Sequence, residues 1–285
     1  MAEVTTYRGT EGDSQDKLDA LNSEFWNTLC GSGLARELGI TDSSPQSLRK
    51  FDQWYFAFYP YLTEYIPFEE MHGQRVLEVG LGYGTVSQRI VESGADYTGL
   101  DIAQDPVDIV NYRLRVADSP GRAHRGSVLA SPFADSTFDF IVAIGCYHHT
   151  GNMQRALDES YRMLRPSGAL VGMVYNAYSY RRWFNAPCQT ARYLGWDWFK
   201  LGTQPLVSPD ERAAYDTDLE GTEAPHTDFV SRHHLRRMCR RFGTFNATLA
   251  NIEQERPFQG RARDRLLQTA WPKRCGLDVY FSARR

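Results

Sequence analysis

A group of glycines follows a short apolar run that contains a single acid. Gly80, Gly82 and Gly84 come directly after residues 76–79, in which Glu78 is the charged residue. Glycines adopt positive φ angles and have no Cβ, so a ligand can lie against the main chain and face the amides that open the next helix. A carboxylate in an apolar run needs a hydrogen-bond donor, and a ligand ammonium group would supply one. The stretch therefore predicts a buried strand, a ligand-binding loop and the start of a helix.

A second acid, Asp101, ends the stretch 96–101. It lies about 20 residues after Gly80, a spacing at which an acid stands at the tip of the neighbouring strand and accepts ribose hydroxyl groups. The glycines here follow a G-x-G-x-G pattern. Dinucleotide sites instead follow G-x-G-x-x-G and have Gly or Ala where this chain has Thr85. The residues favour a nucleoside cofactor other than NAD. A tight turn between a strand and a helix is the alternative explanation of the glycines alone.

A third group of residues makes a simple tight turn a poor explanation of the glycines. Residues 136–150 read as a buried strand that ends in Gly145, Tyr147, His148 and His149. A helical pattern follows, and then a further apolar strand from residue 169. Strands that alternate with helices predict a parallel sheet whose ligands bind at the carboxyl ends of the strands.

These motifs together resemble the class I S-adenosylmethionine-dependent methyltransferases, in particular the small-molecule branch that includes the ubiquinone and menaquinone methyltransferases. The resemblance covers roughly residues 74–176 and rests on VLEVGLGYG, GLD, PFADSTFDFIVAIGCYHHT and RMLRPSGALVGMVY. It implies an α/β fold, with a Rossmann-like doubly wound sheet of seven strands, mostly parallel with an antiparallel edge strand. It also implies S-adenosylmethionine as the cofactor and methyl transfer as the activity.

The resemblance assigns cofactor contacts to three loops. The glycine loop packs against the methionine part, the acid after the second strand binds the ribose, and residues after the third strand bind adenine. Ser127 stands where relatives commonly have an acid that accepts the adenine amine, and a hydroxyl accepts that hydrogen bond more weakly. The implied cofactor residues are Glu78, Gly80, Gly82, Gly84, Asp101, Ile102, Ser127, Val128 and Gly145.

The hydrophobic pattern places strands near 75–79, 96–100, 122–126, 138–144, 169–175, 244–252 and 277–283, and helices near 84–93, 104–116 and 152–164. Helical patterns also run from Leu18 to Leu29 and from Ser44 through Ile66, and Ser231 is a suitable N-cap for a helix through Arg241. We therefore expect an N-terminal helical lid over 1–70 and a methyltransferase domain over 71–285, with an inserted cap at about 176–228.

The lid and the cap are unusually aromatic. Trp54 and Tyr55 in the lid and Tyr178 at the start of the cap are candidates to line an acceptor pocket, although packing on the core explains them equally well. Arg181 and Arg182 follow the fifth strand and are candidates to hold an anionic substrate, since a guanidinium group binds carboxylate or phosphate in a bidentate pair.

Methyl transfer from a sulfonium mainly requires that the acceptor be positioned and desolvated, so a general base is optional. His148, His149 and His226 are candidate bases, and Tyr147 is a candidate acceptor contact. The alternatives are that the histidine pair orders its loop and that His226 is a solvated loop residue.

Composition limits the classes of partner that this protein is expected to bind. The net charge of −3 provides no global attraction to nucleic acid, and the arginines of 232–241 fit an exposed helix face. The scattered cysteines indicate a reducing compartment and no metal site, and the polar N-terminus lacks a leader or membrane span, so a cytoplasmic enzyme is expected. The predicted function is methylation of a small or medium-sized metabolite, with a homo-oligomer left open. RNA or peptide methylation and a non-catalytic cofactor-binding scaffold are the alternatives.

Overall fold

The computed structural model describes residues 11–27, 38–40, 42, 44–218 and 220–285. Seven strands within these ranges form one sheet. They are β1 (Arg75–Val79), β2 (Asp96–Asp101), β3 (Arg122–Arg125), β4 (Phe138–Ile144), β5 (Leu164–Tyr175), β6 (Thr244–Ala250) and β7 (Asp278–Arg284).

The strand order is β3-β2-β1-β4-β5-β7-β6, which confirms the predicted doubly wound sheet. Strands β3, β2, β1, β4 and β5 are mutually parallel, and β7 runs antiparallel to both β5 and β6. The reversed strand β7 therefore lies one place in from the edge that β6 forms. The order reverses between β1 and β4, and open α/β sheets bind their ligands at such a switch point.

Helices cover both faces of the sheet, as the alternation of elements predicts. The helices before the fifth strand are α1 (Glu11–Trp26), α2 (Pro45–Phe58), α3 (Leu62–Tyr65), α4 (Thr85–Glu92), α5 (Gln104–Val116) and α6 (Met153–Met163). The later ones are α7 (Tyr180–Asn185), α8 (Pro187–Phe199), α9 (Pro209–Ala213), α10 (Arg232–Met238), α11 (Arg263–Leu267) and α12 (Trp271–Cys275).

The core divides into two clusters because successive side chains of a strand point to opposite faces. In β1, Leu77 packs in the cluster on one face with Ile141 and Leu157. Its neighbour Val76 packs on the other face with Ile90 and Val110. The cavity described below lies above the carboxyl ends of the same strands.

Two of the boundaries that differ from the sequence prediction have a local cause. The helix expected from Ser44 through Ile66 is divided into α2 and α3, because Pro60 disfavours helical geometry at Tyr59 and has no N–H to continue the helix. Strand β5 begins at Leu164 rather than near 169, since Leu164 already pairs with Phe138 ahead of an irregularity in the ladder.

Two further expectations concern the helix after Ser231 and the end of the first helical pattern. Ser231 caps α10 by accepting from the backbone N–H of His234, although the helix ends at Met238. Leu29 and the glycines at 31 and 33, which the sequence places at the end of the first helical pattern, lie outside the described residues. No helix among the described residues is long and apolar enough to cross a membrane.

Candidate active site

A cavity of about 590 Å³ lies above the carboxyl ends of β1, β2 and β4. Its floor is made by the loops that follow these strands, which carry Gly80, Asp101 and Gly145. Its roof is made by α1, α2 and the cap segment 215–218. Every sequence-predicted cofactor residue except Gly84 lines this partly open cavity, together with the predicted histidine His149.

The three glycines of the first loop all have positive φ, at +80° for Gly80, +50° for Gly82 and +73° for Gly84. A Cβ on Gly82 would meet no atom within 4 Å, so this position opens directly onto the cavity. A Cβ on Gly80 would collide with Cys146, and one on Gly84 would collide with Val110 and Arg113. Gly82 therefore provides space for a ligand, whereas the other two permit close packing behind the loop.

Glu78 is buried in the floor of the cavity. Its Oε2 accepts hydrogen bonds from Ser87 Oγ at 2.5 Å and from the Tyr97 hydroxyl at 2.7 Å. Burial raises the pKa of the Glu78 carboxyl to about 7, although the two hydrogen bonds oppose that shift. A cationic group in the cavity would therefore stabilise the ionised carboxylate.

Asp101 fixes the geometry of two loops at once. Its Oδ2 accepts from the backbone N–H of Leu81 at 2.6 Å, and its Oδ1 accepts from that of Ala103 at 2.9 Å. Burial raises the pKa of this carboxyl, and the backbone hydrogen bonds counteract the rise. Each carboxylate oxygen can accept a second hydrogen bond, so Asp101 can both order the glycine loop and receive ligand hydroxyls. Ile102, the next residue, also lines the cavity.

The predicted adenine end of the site is less polar. Ser127 and Val128 line the cavity, and the Ser127 hydroxyl already accepts from the backbone N–H of Leu129 at 3.3 Å. At the centre, Gly145 and Cys146 follow β4, and the Cys146 thiol donates to the carbonyl of Val79.

The histidine pair divides into one core residue and one cavity residue. His149 lines the cavity, and its Nδ1 lies 2.8 Å from the carbonyl oxygen of His226. Its Nε2 lies 3.6 Å from Oδ2 of Asp216, which comes from the cap. His148 is fully buried behind it, and burial holds the pKa of His148 well below its usual range.

Two other candidate catalytic residues lie away from the cavity lining. Tyr147 is fully buried, and its hydroxyl is 2.6 Å from Ser160 Oγ within the core. The ring of His226 lies 3.2 Å from the Asp228 carboxylate, and its contribution to the site is the carbonyl that holds His149. The predicted roles of Tyr147 and of the His226 ring therefore do not fit their positions.

Of the five predicted substrate residues, Tyr55 alone lines the cavity among the residues described. Trp54 packs against Phe58 of the same helix, and the Tyr178 hydroxyl donates to Asp197. Arg181 pairs with Glu253 and Glu255, and Arg182 pairs with Glu211 at 2.7 Å, all within the cap and the neighbouring loop. The two guanidinium groups therefore hold the cap together rather than face the cavity.

Known proteins share parts of this sequence and this architecture. A methyltransferase domain family model matches residues 77–172. The crystal structure of an S-adenosylmethionine-dependent methyltransferase from Mesorhizobium loti is similar over 80% of this chain and 98% of its own, with a TM-score of 0.52 and 17% identity. Residues 77–172 therefore form a methyltransferase domain, and the solved structure shares its fold. The cofactor of this domain is S-adenosylmethionine, as the motifs predict.

Curated relatives are similar over part of their length. A demethylmenaquinone methyltransferase from Tropheryma whipplei is 34% identical over 53% of this chain and 59% of its own. A 27-O-demethylrifamycin SV methyltransferase from Amycolatopsis mediterranei is 26% identical over 64% of this chain and 67% of its own. The chain thus spans about three fifths of the length of the first of these methyltransferases.

Several residues of this methyltransferase site had no signal in the sequence. Asp19, Asn22 and Trp26 of α1 line the roof, and Asn22 Nδ2 donates to the carbonyl of His149 at 2.8 Å. Asp216 stands in an irregular acidic segment of the cap. A helical pattern predicts α1, but nothing in that pattern states where the helix docks.

Proposed function

We propose that this protein transfers a methyl group from S-adenosylmethionine to a small or medium-sized metabolite. The observation that carries the proposal is the charge of the cavity. Its described lining contains five carboxylates and neither Lys nor Arg. The five acids are Asp19, Glu78, Asp101, Asp216 and Asp218. Such a lining suits a cofactor that carries a sulfonium and an ammonium group, and it disfavours a phosphate-bearing ligand.

The residues present fit that cofactor. Glu78, Gly80 and Gly82 would hold its methionine part, where Gly82 leaves free space and Glu78 offers a buried carboxylate. Asp101 and Ile102 would hold the ribose, and Ser127 with Val128 would hold the adenine. Gly84 supports the loop from behind. When bound, the cofactor supplies an electrophilic methyl group, and this chain's part is to orient the acceptor and exclude water.

The partial roof over the cavity supports a small acceptor. The cavity is roofed by α1, α2 and residues 215–218, which fits the predicted lid over 1–70 and the cap near 176–228. The names of two relatives refer to methylation of a quinone precursor and of a rifamycin, both small molecules. An RNA or a folded peptide would have to displace this roof. A cytoplasmic location, inferred from the scattered cysteines, belongs to the same proposal.

Calorimetry with S-adenosylmethionine tests the cofactor site. Gly82→Val should lower the affinity at least tenfold, because the branched side chain enters the free space above the loop. Gly73→Val is the matched control: Gly73 also has positive φ (+68°) and an unobstructed Cβ position, but it is remote from the cavity lining. Both variants should lose similar stability, about 1–2 kcal/mol from the left-handed backbone.

Failure of the unaltered protein to bind S-adenosylmethionine would refute the proposed function, and normal binding by folded Gly82→Val would remove the loop from the site. The acceptor class is tested with methyl-labelled S-adenosylmethionine and a deproteinised metabolite extract, followed by mass spectrometry. Label in a small molecule supports the proposal. Label that appears in RNA or protein, when these are supplied instead, would contradict it.

A further inference from the structure

Three hydrogen-bond acceptors in the cavity have no donor among the described residues. They are Nε2 of His149, Oδ2 of Asp216 and Oδ1 of Asn22, and all three are buried. All three residues line the cavity. A buried polar atom without a partner costs roughly 1–3 kcal/mol, so three such atoms on residues that line one cavity indicate a ligand that supplies donors.

The protonation state of His149 follows from its other nitrogen. A carbonyl oxygen can only accept, so Nδ1 carries the proton that binds the His226 carbonyl at 2.8 Å. Nε2 of the neutral ring is then a lone-pair acceptor. Burial lowers the pKa of His149, although Asp216 opposes the shift, and a neutral ring is consistent with that direction.

Asp216 is oriented by the sheet. Its Oδ1 accepts from the Tyr175 hydroxyl at 3.0 Å, which leaves Oδ2 directed toward His149 Nε2, 3.6 Å away. With the ring neutral and the carboxylate ionised, two acceptors face one another with no proton between them. Asn22 contributes the third acceptor. Its Nδ2 donates to the His149 carbonyl, and its Oδ1 has no donor among the described residues.

We infer that His149, Asp216 and Asn22 form the acceptor subsite, that it binds an O–H or N–H group, and that His149 takes the proton as that oxygen or nitrogen is methylated. The inference rests on the proposed function. As the X–CH3 bond forms and the CH3–S bond breaks, the sulfur keeps the electron pair of the broken bond. The X–H proton moves to Nε2 of His149, where Asp216 stabilises the resulting imidazolium. The inferred product therefore carries its methyl group on oxygen or nitrogen rather than on carbon.

The subsite can be tested without knowledge of the natural acceptor. Protein saturated with S-adenosylhomocysteine is titrated with 4-nitrophenol and, separately, with 4-nitroanisole, which keeps the ring and the nitro group but carries a methyl group in place of the hydroxyl hydrogen. The parallel pair 4-nitroaniline and its N,N-dimethyl derivative tests an N–H group. In at least one pair the protic probe should bind about tenfold or more tightly than its methylated counterpart, because only it satisfies the free acceptors.

His149→Gln and Asp216→Asn should abolish that preference. The matched control is Asp218→Asn, which makes the same change in the same cap segment and cavity lining. The Asp218 carboxylate already accepts from the backbone N–H groups of Glu220 and Thr222, so the preference should persist. The absorption spectrum supplies a second readout, since the hydrogen bond from the 4-nitrophenol O–H to Nε2 should shift the band of the bound probe in the unaltered protein and shift it less in His149→Gln.

Equal affinities for protic and methylated probes in the unaltered protein would refute the inference, and that comparison needs no variant to fold. A preference that survives in both subsite variants would also refute it. Product analysis by NMR that finds the labelled methyl group on carbon would overturn the assignment to oxygen or nitrogen. Normal binding of S-adenosylmethionine in these cases would leave the proposed function standing.

Discussion

Glu78 serves two sets of partners at the residue scale. Ser87 and Tyr97 hold its Oε2 from within the fold, while the residue also lines the cavity floor. The sequence identifies Glu78 as an acid that requires a donor, and the structure supplies two internal donors that no local pattern indicates. The carboxylate has two possible roles, to bind the cofactor ammonium and to hold the fold. A substitution that removes the charge but keeps the shape distinguishes them.

Glu78→Gln should lower the affinity for S-adenosylmethionine about tenfold at pH 8, while the apo-protein keeps its stability at that pH. The folded-state pKa of about 7 lies above the ordinary value of 4.5, so the carboxyl favours folding most when protonated. That contribution, ~3 kcal/mol as an order of magnitude, is complete below pH 4.5 and is lost as the pH rises through 7. The variant's stability should therefore fall less steeply over this interval, as measured by chemical unfolding.

Asp278→Asn provides the control for this substitution. Asp278 is a second buried carboxyl whose pKa burial raises to about 7, and it lies outside the cavity lining. Its substitution should flatten the pH dependence of stability without a change in cofactor affinity. A large loss of apo-protein stability in Glu78→Gln, together with normal binding, would mean that Glu78 is structural alone.

Sequence patterns predict elements well where a single periodicity governs them. The strands β1, β4 and β7 lie close to their predicted bounds, because apolar runs ended by glycine or charged residues determine them. The break between α2 and α3 was missed, because the prediction ran one helix from Ser44 through Ile66 although a residue before proline disfavours helix. The docking of the cap could not be predicted from the sequence, because Arg182 and Glu211 are separated along the chain and only the folded cap brings them together.

Glu211→Gln tests whether Arg182 belongs to the cap's structure. Arg182 and Glu211 are both more than nine-tenths buried, with side-chain exposures of 4% and 7%, and the guanidinium lies 4.2 Å from the Phe229 ring centre. Removal of one partner leaves a buried charge unpaired, so the variant should lose about 3 kcal/mol of unfolding free energy. Cofactor affinity should be unchanged, because the pair lies outside the cavity lining.

Glu223→Gln is the control, since the Arg212–Glu223 pair is more exposed and contributes less than about 1 kcal/mol. Unfolding in denaturant measures both variants. Unchanged stability of Glu211→Gln would show that Arg182 does not depend on this partner. It would reopen the sequence-based hypothesis that Arg182 holds an anionic substrate.

At the scale of the whole molecule, three segments far apart in sequence close one space. Helix α2 is fastened to the domain by the bidentate pair of Asp52 with Arg113 and by the Thr85 hydroxyl. Helix α1 and the cap segment 215–218 instead meet the domain at the site itself, through His149, Ile102 and Tyr175. Ligands should therefore affect these two segments more than α2.

Hydrogen exchange should resolve two steps of closure. S-adenosylmethionine alone should slow exchange at Gly80–Gly84 and around Asp101, where the cofactor meets the backbone. S-adenosylhomocysteine with 4-nitrophenol should add protection in α1 and in 215–218, because bridging of Asn22, His149 and Asp216 removes the freedom of both roof segments. Trp54 and Tyr178, which the sequence made candidates for the acceptor pocket, should gain no protection, because they pack against Phe58 and bind Asp197 instead.

Peptides from α7 serve as the internal reference, since its arginines pair within the cap and the neighbouring loop and should not respond to either ligand. Asn22→Ala should uncouple the roof: the cofactor-dependent protection of Gly80–Gly84 should persist, while the probe-dependent protection of α1 should disappear. Protection that spreads equally over α1, α2 and α7 would contradict a hinged roof and indicate a general tightening of the fold. Protection confined to the strand-end loops in the presence of bound 4-nitrophenol would mean that the roof is already closed without ligand, and that acceptors must enter by another path.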